Sequence, residues 1–253
     1  LQYLRFDDYR TRPCRELIAR VQVADPKTIV DLGCGPGNST TALADRWPAS
    51  LVSGLDSSPE MIEAARAAAP NLQWQIADIR KWIDENPDMY DIVFSNAALH
   101  WIGDHPTSFG QLLRHVSPGG ALAVQMPASI DAPPHRLMRE LAASRKWREA
   151  FPGDGVPEWH VLAPASYYDI LTPHATWVDL WTTDYIHLMD DPDAIVEFYK
   201  GSGLRPFLDL LTTSGQRAEF IADYADLIRG AYPRQADGRV LFPFQRLFVI
   251  AYR

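Results

Sequence analysis

The stretch Lys27-Thr28-Ile29-Val30-Asp31-Leu32-Gly33-Cys34-Gly35-Pro36-Gly37 is a short apolar run that ends in three glycines spaced two apart. A β-branched run of this length predicts a buried strand. The glycines predict a tight turn where backbone comes close to a ligand. Ser39 to Trp47 then has helical character, so the turn joins strand to helix at the carboxyl edge of a sheet, the edge at which open α/β folds bind ligands. The spacing is GxGxG, which differs from the GxGxxG of pyrophosphate-binding dinucleotide folds.

Beyond the turn the hydrophobic period keeps switching. Apolar runs at Leu51 to Leu55, Leu72 to Ala77, Tyr90 to Ser95 and Ala121 to Met126 alternate with helical patterns at Met61 to Ala69 and Thr107 to Val116. Ser58-Pro59 starts the first of these helices and Pro70 stops it, while Ser117-Pro118-Gly119-Gly120 reads as a turn before the fifth strand. Strands alternating with helices predict a parallel sheet covered on both faces. Asp56 closes the second strand, where an acid can accept hydrogen bonds from ribose hydroxyls, and Asp78 closes the third, within reach of an adenine amine. Three acids ending three consecutive strands around one glycine loop are far more specific than any one of them.

After Met126 the pattern changes. Residues 127–173 are rich in Pro, Trp, His and Arg, with a helical stretch at His135 to Trp147 and a PGDGVP loop at 152–157, and read as an insertion over the sheet. Thr176 to Leu188 alternates like a half-buried strand, and Asp191 to Lys200 and Ser214 to Ala231 look helical. Val240 to Tyr252 is a β-forming run that Pro243 is expected to kink or confine to an edge.

Composition narrows the function classes. The 253 residues are 47% hydrophobic and 22% charged, which fits a globular chain. With 24 Lys and Arg against 32 Asp and Glu, the net charge of −8 argues against a nucleic-acid partner. No run approaches the ~20 apolar residues of a membrane helix, and charges break the N-terminal stretch, so no membrane partner and a cytoplasmic location are expected. Cys14 and Cys34 lack metal or disulfide spacing, and the seven histidines show no ligand pairing, so no metal is expected.

The glycine and acid constellation from Thr28 to Met126 resembles the class I S-adenosylmethionine-dependent methyltransferases. That resemblance implies a Rossmann-like, seven-stranded, mostly parallel sheet in a single domain over 1–253, with a cofactor core at 27–126 and the insertion, a helical lid and the last strands at 127–253. It implies S-adenosylmethionine as cofactor and S-adenosylhomocysteine as product. Asp31, Gly33 and Gly35 would border the methionine portion, Asp56 would hold the ribose, Asp78 and Ile79 the adenine, and Asn96 the methionine amine, with Ser57 a further cofactor-binding residue. The stretches RTRPCREL (10–17), LDSSPEM (55–61), VQMP (124–127), YYDIL (167–171), DLWTTDYIH (179–187), GLRPF (203–207) and FQRLFVIAYR (244–253) are similar to the family of trans-aconitate methyltransferases. His100 departs from the glutamine expected there.

A carboxylate acceptor is already ionised at pH 7, since such acids titrate near ~4. No general base is then required, and no catalytic residue is assigned. A small tricarboxylate must be met by cations, best by arginine forks. Chemistry and resemblance together nominate Arg10, Arg12, Arg205 and Arg246, with Lys200 and the hydroxyls of Tyr9, Tyr167 and Tyr168 as lesser candidates. Arg205, in Gly203-Leu204-Arg205-Pro206 between two helical segments, ranks first. No obligate protein partner is inferred. The cofactor motifs leave the acceptor open: another small or carrier-bound carboxylic acid, or a binding module without transfer, would satisfy them too.

Overall fold

The computed structural model of the chain describes residues 7–151 and 159–253, so the PGDGVP loop at 152–157 lies outside the described residues. From α1 (Asp7–Arg20) the chain alternates β1 (Thr28–Leu32), α2 (Asn38–Arg46), β2 (Leu51–Asp56), α3 (Pro59–Ala68), β3 (Gln73–Ile76), α4 (Ile79–Glu85), β4 (Tyr90–Asn96), α5 (His105–Arg114) and β5 (Val116–Pro127). It continues through α6 (Pro133–Ala143), α7 (Pro164–Leu171), β6 (Trp177–Met189), α8 (Pro192–Lys200), α9 (Arg205–Leu210), α10 (Ser214–Ala231) and β7 (Val240–Tyr252). The strands form one sheet in the order β3-β2-β1-β4-β5-β7-β6, with β1 to β5 parallel and β7 antiparallel to β5. This is the α/β class expected from the alternation.

The chain divides into two compact units. The sheet unit holds Arg10–Pro127, His160–Thr183 and Arg246–Arg253. Its central strands are buried along nearly their whole length, as Ile29, Val30, Ile92, Val93, Phe94, Leu122, Ala123, Val249 and Ile250 illustrate, because helices cover both faces of a parallel sheet. Ser58 caps α3 by accepting from Met61 N–H at 3.3 Å, with Pro59 at the first helical position. The helical unit holds Tyr9, residues 128–151 with Trp159, and Asp184–Gln245. Helices α6, α8, α9 and α10 there pack around Phe198, Tyr199, Phe207, Phe220, Tyr224 and Phe242. Asp191 caps α8 through Ala194 N–H at 2.8 Å, and Thr213 with Gln216 forms a capping box on α10. No helix among the described residues is long and apolar enough to cross a membrane.

Three local readings are corrected. Ser117 to Gly120, expected as a turn, lies inside β5: Tyr90 pairs with Val116 but Ile92 with Ala121, and Gly119 at φ +82° absorbs the register shift. Pro243 does not confine its strand to an edge, since β7 sits between β5 and β6. Pairing with β5 begins only at Arg246, so the missing N–H of Pro243 removes no bond to that neighbour. β3 ends at Ile76, and Asp78 stands after it as the N-cap of α4, accepting from Arg80 N–H at 2.9 Å and Lys81 N–H at 3.1 Å. The helices α4, α7 and α9 were not anticipated.

Candidate active site

The glycine loop is built by left-handed backbone. Gly33, Gly35 and Gly37 take φ of +72°, +55° and +93°, a region closed to most side chains. Gly33 and Cys34 both donate to Leu55 O, at 2.8 and 3.0 Å, which fastens the loop to the end of β2. Gly35 N–H donates to Asp56 Oδ2 at 2.9 Å, and Ser58 N–H donates to Asp56 Oδ1 at 2.9 Å. One carboxylate thus ties the glycine loop to the start of α3. A Cβ on Gly33 would lie 2.2 Å from Ala98 Cβ and 3.4 Å from Ile79 Cδ1, whereas one on Gly35 would meet no atom within 4 Å. Gly33 is therefore a packed corner, and Gly35 borders open space.

Asp31 is fully buried. Its Oδ2 accepts from Ser39 Oγ at 2.6 Å and Thr40 Oγ1 at 2.7 Å. Burial pushes its carboxyl up to about 6 against the pull of those two hydroxyls, and the nearby Asp56 charge adds to the rise. A carboxyl whose pKa is raised by folding holds its proton more tightly folded than unfolded. Its contribution to stability is therefore greatest below about pH 4 and declines as pH rises to about 6. The loss should reach up to about 3 kcal/mol, at ~1.4 kcal/mol per pKa unit. Urea midpoints of wild type and Asp31→Asn should therefore diverge between pH 4 and 6 and run parallel above; a constant difference throughout would reject the raised pKa.

Strand register aligns further groups with Asp31. Asp31 pairs with Gly54 and with Phe94, Asn96 pairs with Gln125, and Gln125 pairs with Phe248. Paired residues share a face and alternate residues return to it. Asp56, Asp31, Asn96, Gln125 and Arg246 therefore stand on one face, toward the carboxyl ends of the parallel strands. Asp31 Oδ1, Asn96 Oδ1 and Gln125 Nε2 are buried atoms with no hydrogen-bond partner among the described residues. Directly after Asn96, Ala97 adopts φ +54°, strain of a kind that persists where surrounding structure enforces it. Its N–H donates to Gln125 O at 2.9 Å.

The site candidates thus fall into distinct places. Gly33 and Ile79 meet, Gly35 and Asp56 are bonded, and Asp31 and Asn96 share the sheet face; Ser57 and Asp78 are exposed beside them. These residues suit S-adenosylmethionine. The two buried acceptors, Asp31 Oδ1 and Asn96 Oδ1, match an ammonium group, and the space at Gly35 leaves backbone open to a ligand.

Among the acceptor-binding candidates, Arg246 is buried at 3% exposure, with Nη1 donating to Gln125 Oε1 at 3.4 Å. Arg12 is exposed and pairs with Glu16 on its own helix at 2.8 Å. The side chain of Arg10 lies outside the described residues. Tyr167 is fully buried, its hydroxyl 2.6 Å from His105 Nδ1 and accepting from Leu162 N–H at 3.0 Å, while Tyr168 is exposed. Lys200 and Arg205 belong to the helical unit. Lys200 is bonded to Glu197, and Arg205 is largely exposed, 3.9 Å from Asp209. Tyr9 donates to Leu188 O at 3.0 Å and stacks on His187. His100 is buried, and its carbonyl accepts from His160 N–H at 2.9 Å. Gln125 was not anticipated; it is the one polar residue in the buried run Ala121 to Met126, and that interruption was its only signal.

Residues 29–120 match the family model described as a methyltransferase domain. A trans-aconitate 2-methyltransferase of Azoarcus sp. (strain BH72) is 49% identical over 252 residues, which cover 100% of this chain and 97% of that protein. One from Methylobacterium radiotolerans is 48% identical over 251 residues, covering 98% of this chain and 95% of that protein. Among solved structures, Haemonchus contortus phosphoethanolamine N-methyltransferase 2 in complex with phosphomonomethylethanolamine and S-adenosylhomocysteine superposes with a TM-score of 0.57 at 14% identity, covering 95% of this chain and 52% of that one, a likeness of fold. A glycine loop and acids in the class I arrangement, on a chain alike from end to end to these relatives, make it a methyltransferase of the trans-aconitate 2-methyltransferase family.

Proposed function

We propose that the chain esterifies one carboxylate of trans-aconitate with the methyl group of S-adenosylmethionine, giving a monomethyl ester and S-adenosylhomocysteine. Full-length similarity to relatives of that name carries this reading. When bound, the cofactor supplies an electrophilic methyl on a sulfonium sulfur. Asp78 and Ile79 would border its adenine, Asp56 its ribose with Ser57 next to it in sequence, and Asp31, Gly33, Gly35 and Asn96 its methionine portion. In sheet order this runs from β3 through β2 and β1 to β4. The acceptor then belongs beyond the methionine end, at β5 and β7, where Arg246 is buried.

The residues at this site position and desolvate. The attacking carboxylate needs no proton removed, but it must stand about 3 to 3.5 Å from the methyl carbon and opposite the sulfur. A buried guanidinium offsets the cost of taking an acceptor carboxylate out of water. The test is methyl transfer from labelled S-adenosylmethionine to trans-aconitate, beside cis-aconitate, isocitrate and citrate, with the product identified by mass spectrometry. A monomethyl ester strongly favouring trans-aconitate is expected. Tight S-adenosylhomocysteine binding without ester from any of the four would reject this acceptor and keep the cofactor.

A further inference from the structure

We propose that Gln125 binds the acceptor directly, its amide N–H pairing with the guanidinium of Arg246 to grip one non-reacting carboxylate. This rests on the tricarboxylate reading above. Arg246 only donates hydrogen bonds, so the Gln125 atom that faces Arg246 Nη1 at 3.4 Å must be the carbonyl oxygen. That contact fixes the amide orientation and sends Nε2 the other way. Nε2 is buried with no acceptor among the described residues, on a side chain with 0% exposure. A buried NH2 without an acceptor is unfavourable, and native structures rarely leave one unless a ligand or water completes it.

The partner that fits is an anionic oxygen. Nε2 offers two neutral donors beside a permanent cation, a combination that suits a carboxylate shared between them. It also lies on the correct side of the sheet. Adenine, ribose and methionine positions follow β3, β2, β1 and β4, and Gln125 stands one strand further, paired with Asn96. The Ala97 N–H bond to Gln125 O keeps β5 in register with the strained turn after β4. The amide is thereby held at a set distance from the methionine end, and a second carboxylate of the same acceptor is left to face the methyl group.

The experiment is calorimetric titration of trans-aconitate into enzyme saturated with S-adenosylhomocysteine, alongside KM and kcat. Gln125→Met keeps the volume and removes both donors. It should weaken trans-aconitate binding about 10- to 100-fold, the range of one hydrogen bond to a charged group. Gln125→Glu keeps the outline and should weaken it at least as much, because an ionised carboxylate there repels the acceptor. S-adenosylhomocysteine affinity should stay within about twofold in both. Unchanged trans-aconitate affinity in either folded variant overturns the proposal. So does a loss of S-adenosylhomocysteine affinity that leaves the acceptor untouched, since the amide would then serve the cofactor. If neither variant folds, the amide is structural and the proposal falls. Wild-type protein that binds no tricarboxylate rejects the acceptor reading and this one together; wild-type binding with indifferent variants rejects this one alone.

Discussion

Gly33→Ala should abolish measurable S-adenosylhomocysteine binding, a loss of at least a hundredfold, and should lower stability by about 2 to 4 kcal/mol. Two effects combine at this position. The backbone holds φ +72°, which any L side chain resists, and the added methyl would sit 2.2 Å from Ala98 Cβ. No rotamer relieves that overlap, since both atoms are Cβ carbons fixed to backbone, and Ala98 follows the already strained Ala97. The loop must shift, taking with it the Gly33 and Cys34 bonds to Leu55. Gly35→Ala is the informative partner, because its methyl meets nothing within 4 Å and only the φ of +55° resists it. It should cost about 1 to 2 kcal/mol of stability. Any loss of cofactor affinity beyond that strain would report the ligand's own need for the space. Calorimetry and thermal melting of both variants decide the matter; a Gly33→Ala protein that melts and binds like wild type would remove Ala98 as the wall behind the loop.

Arg246→Ala should raise KM for trans-aconitate about a hundredfold and leave S-adenosylhomocysteine affinity within about twofold. Two hydrogen bonds to a charged group, at roughly 1.5 kcal/mol or more each, give that factor. The split between acceptor and cofactor is the diagnostic part. A guanidinium serving only to hold the sheet together would lower stability and reduce both affinities alike. Arg246→Lys retains the charge and loses the planar fork, so it should recover part of the binding, with KM about tenfold above wild type. Steady-state kinetics beside calorimetry would overturn the assignment if cofactor affinity fell while KM for the acid held.

These expectations differ in how far the sequence alone supported them. The candidate cofactor residues were legible as a group because their signals are local: strand, glycine turn and helix follow one another between Thr28 and Arg46, and the acids recur at or just beyond the ends of successive strands. The candidate acceptor residues are brought together by the pairing of distant segments. Arg246 meets Gln125 across a separation of 121 residues, and its burial follows from β7 entering the sheet beside β5. Pro243 hid that placement, since a proline inside a β-forming run argues for an edge, and nothing local shows that pairing with β5 starts only at Arg246. Arg205 drew attention through its Gly and Pro neighbours, yet it begins a short helix and is largely exposed. Tyr167 looked like a ligand hydroxyl, and its contact with His105 depends on α7, an element that eight residues beginning at a proline did not announce. The hydroxyls of Ser39 and Thr40 on Asp31 stood in plain view after the glycines, but a carboxylate buried in a strand gives no sign of its partners until the helix is placed.

The insertion of β7 between β5 and β6 also sets the order in which the molecule can be completed. β6 is made some fifty residues before β7, at roughly 5–20 residues per second. Until β7 emerges β6 lacks the neighbour through which it joins the sheet. For several seconds the growing chain therefore carries a finished parallel half, whose strand β5 has an open edge, and a long unpaired strand bearing Trp177, Ile186 and Leu188, which remain exposed even in the finished protein. Open edges of this kind invite association with other chains. The closing step brings Arg246 beside Gln125, so the same late event that seals the sheet also assembles the pair proposed to bind the acceptor.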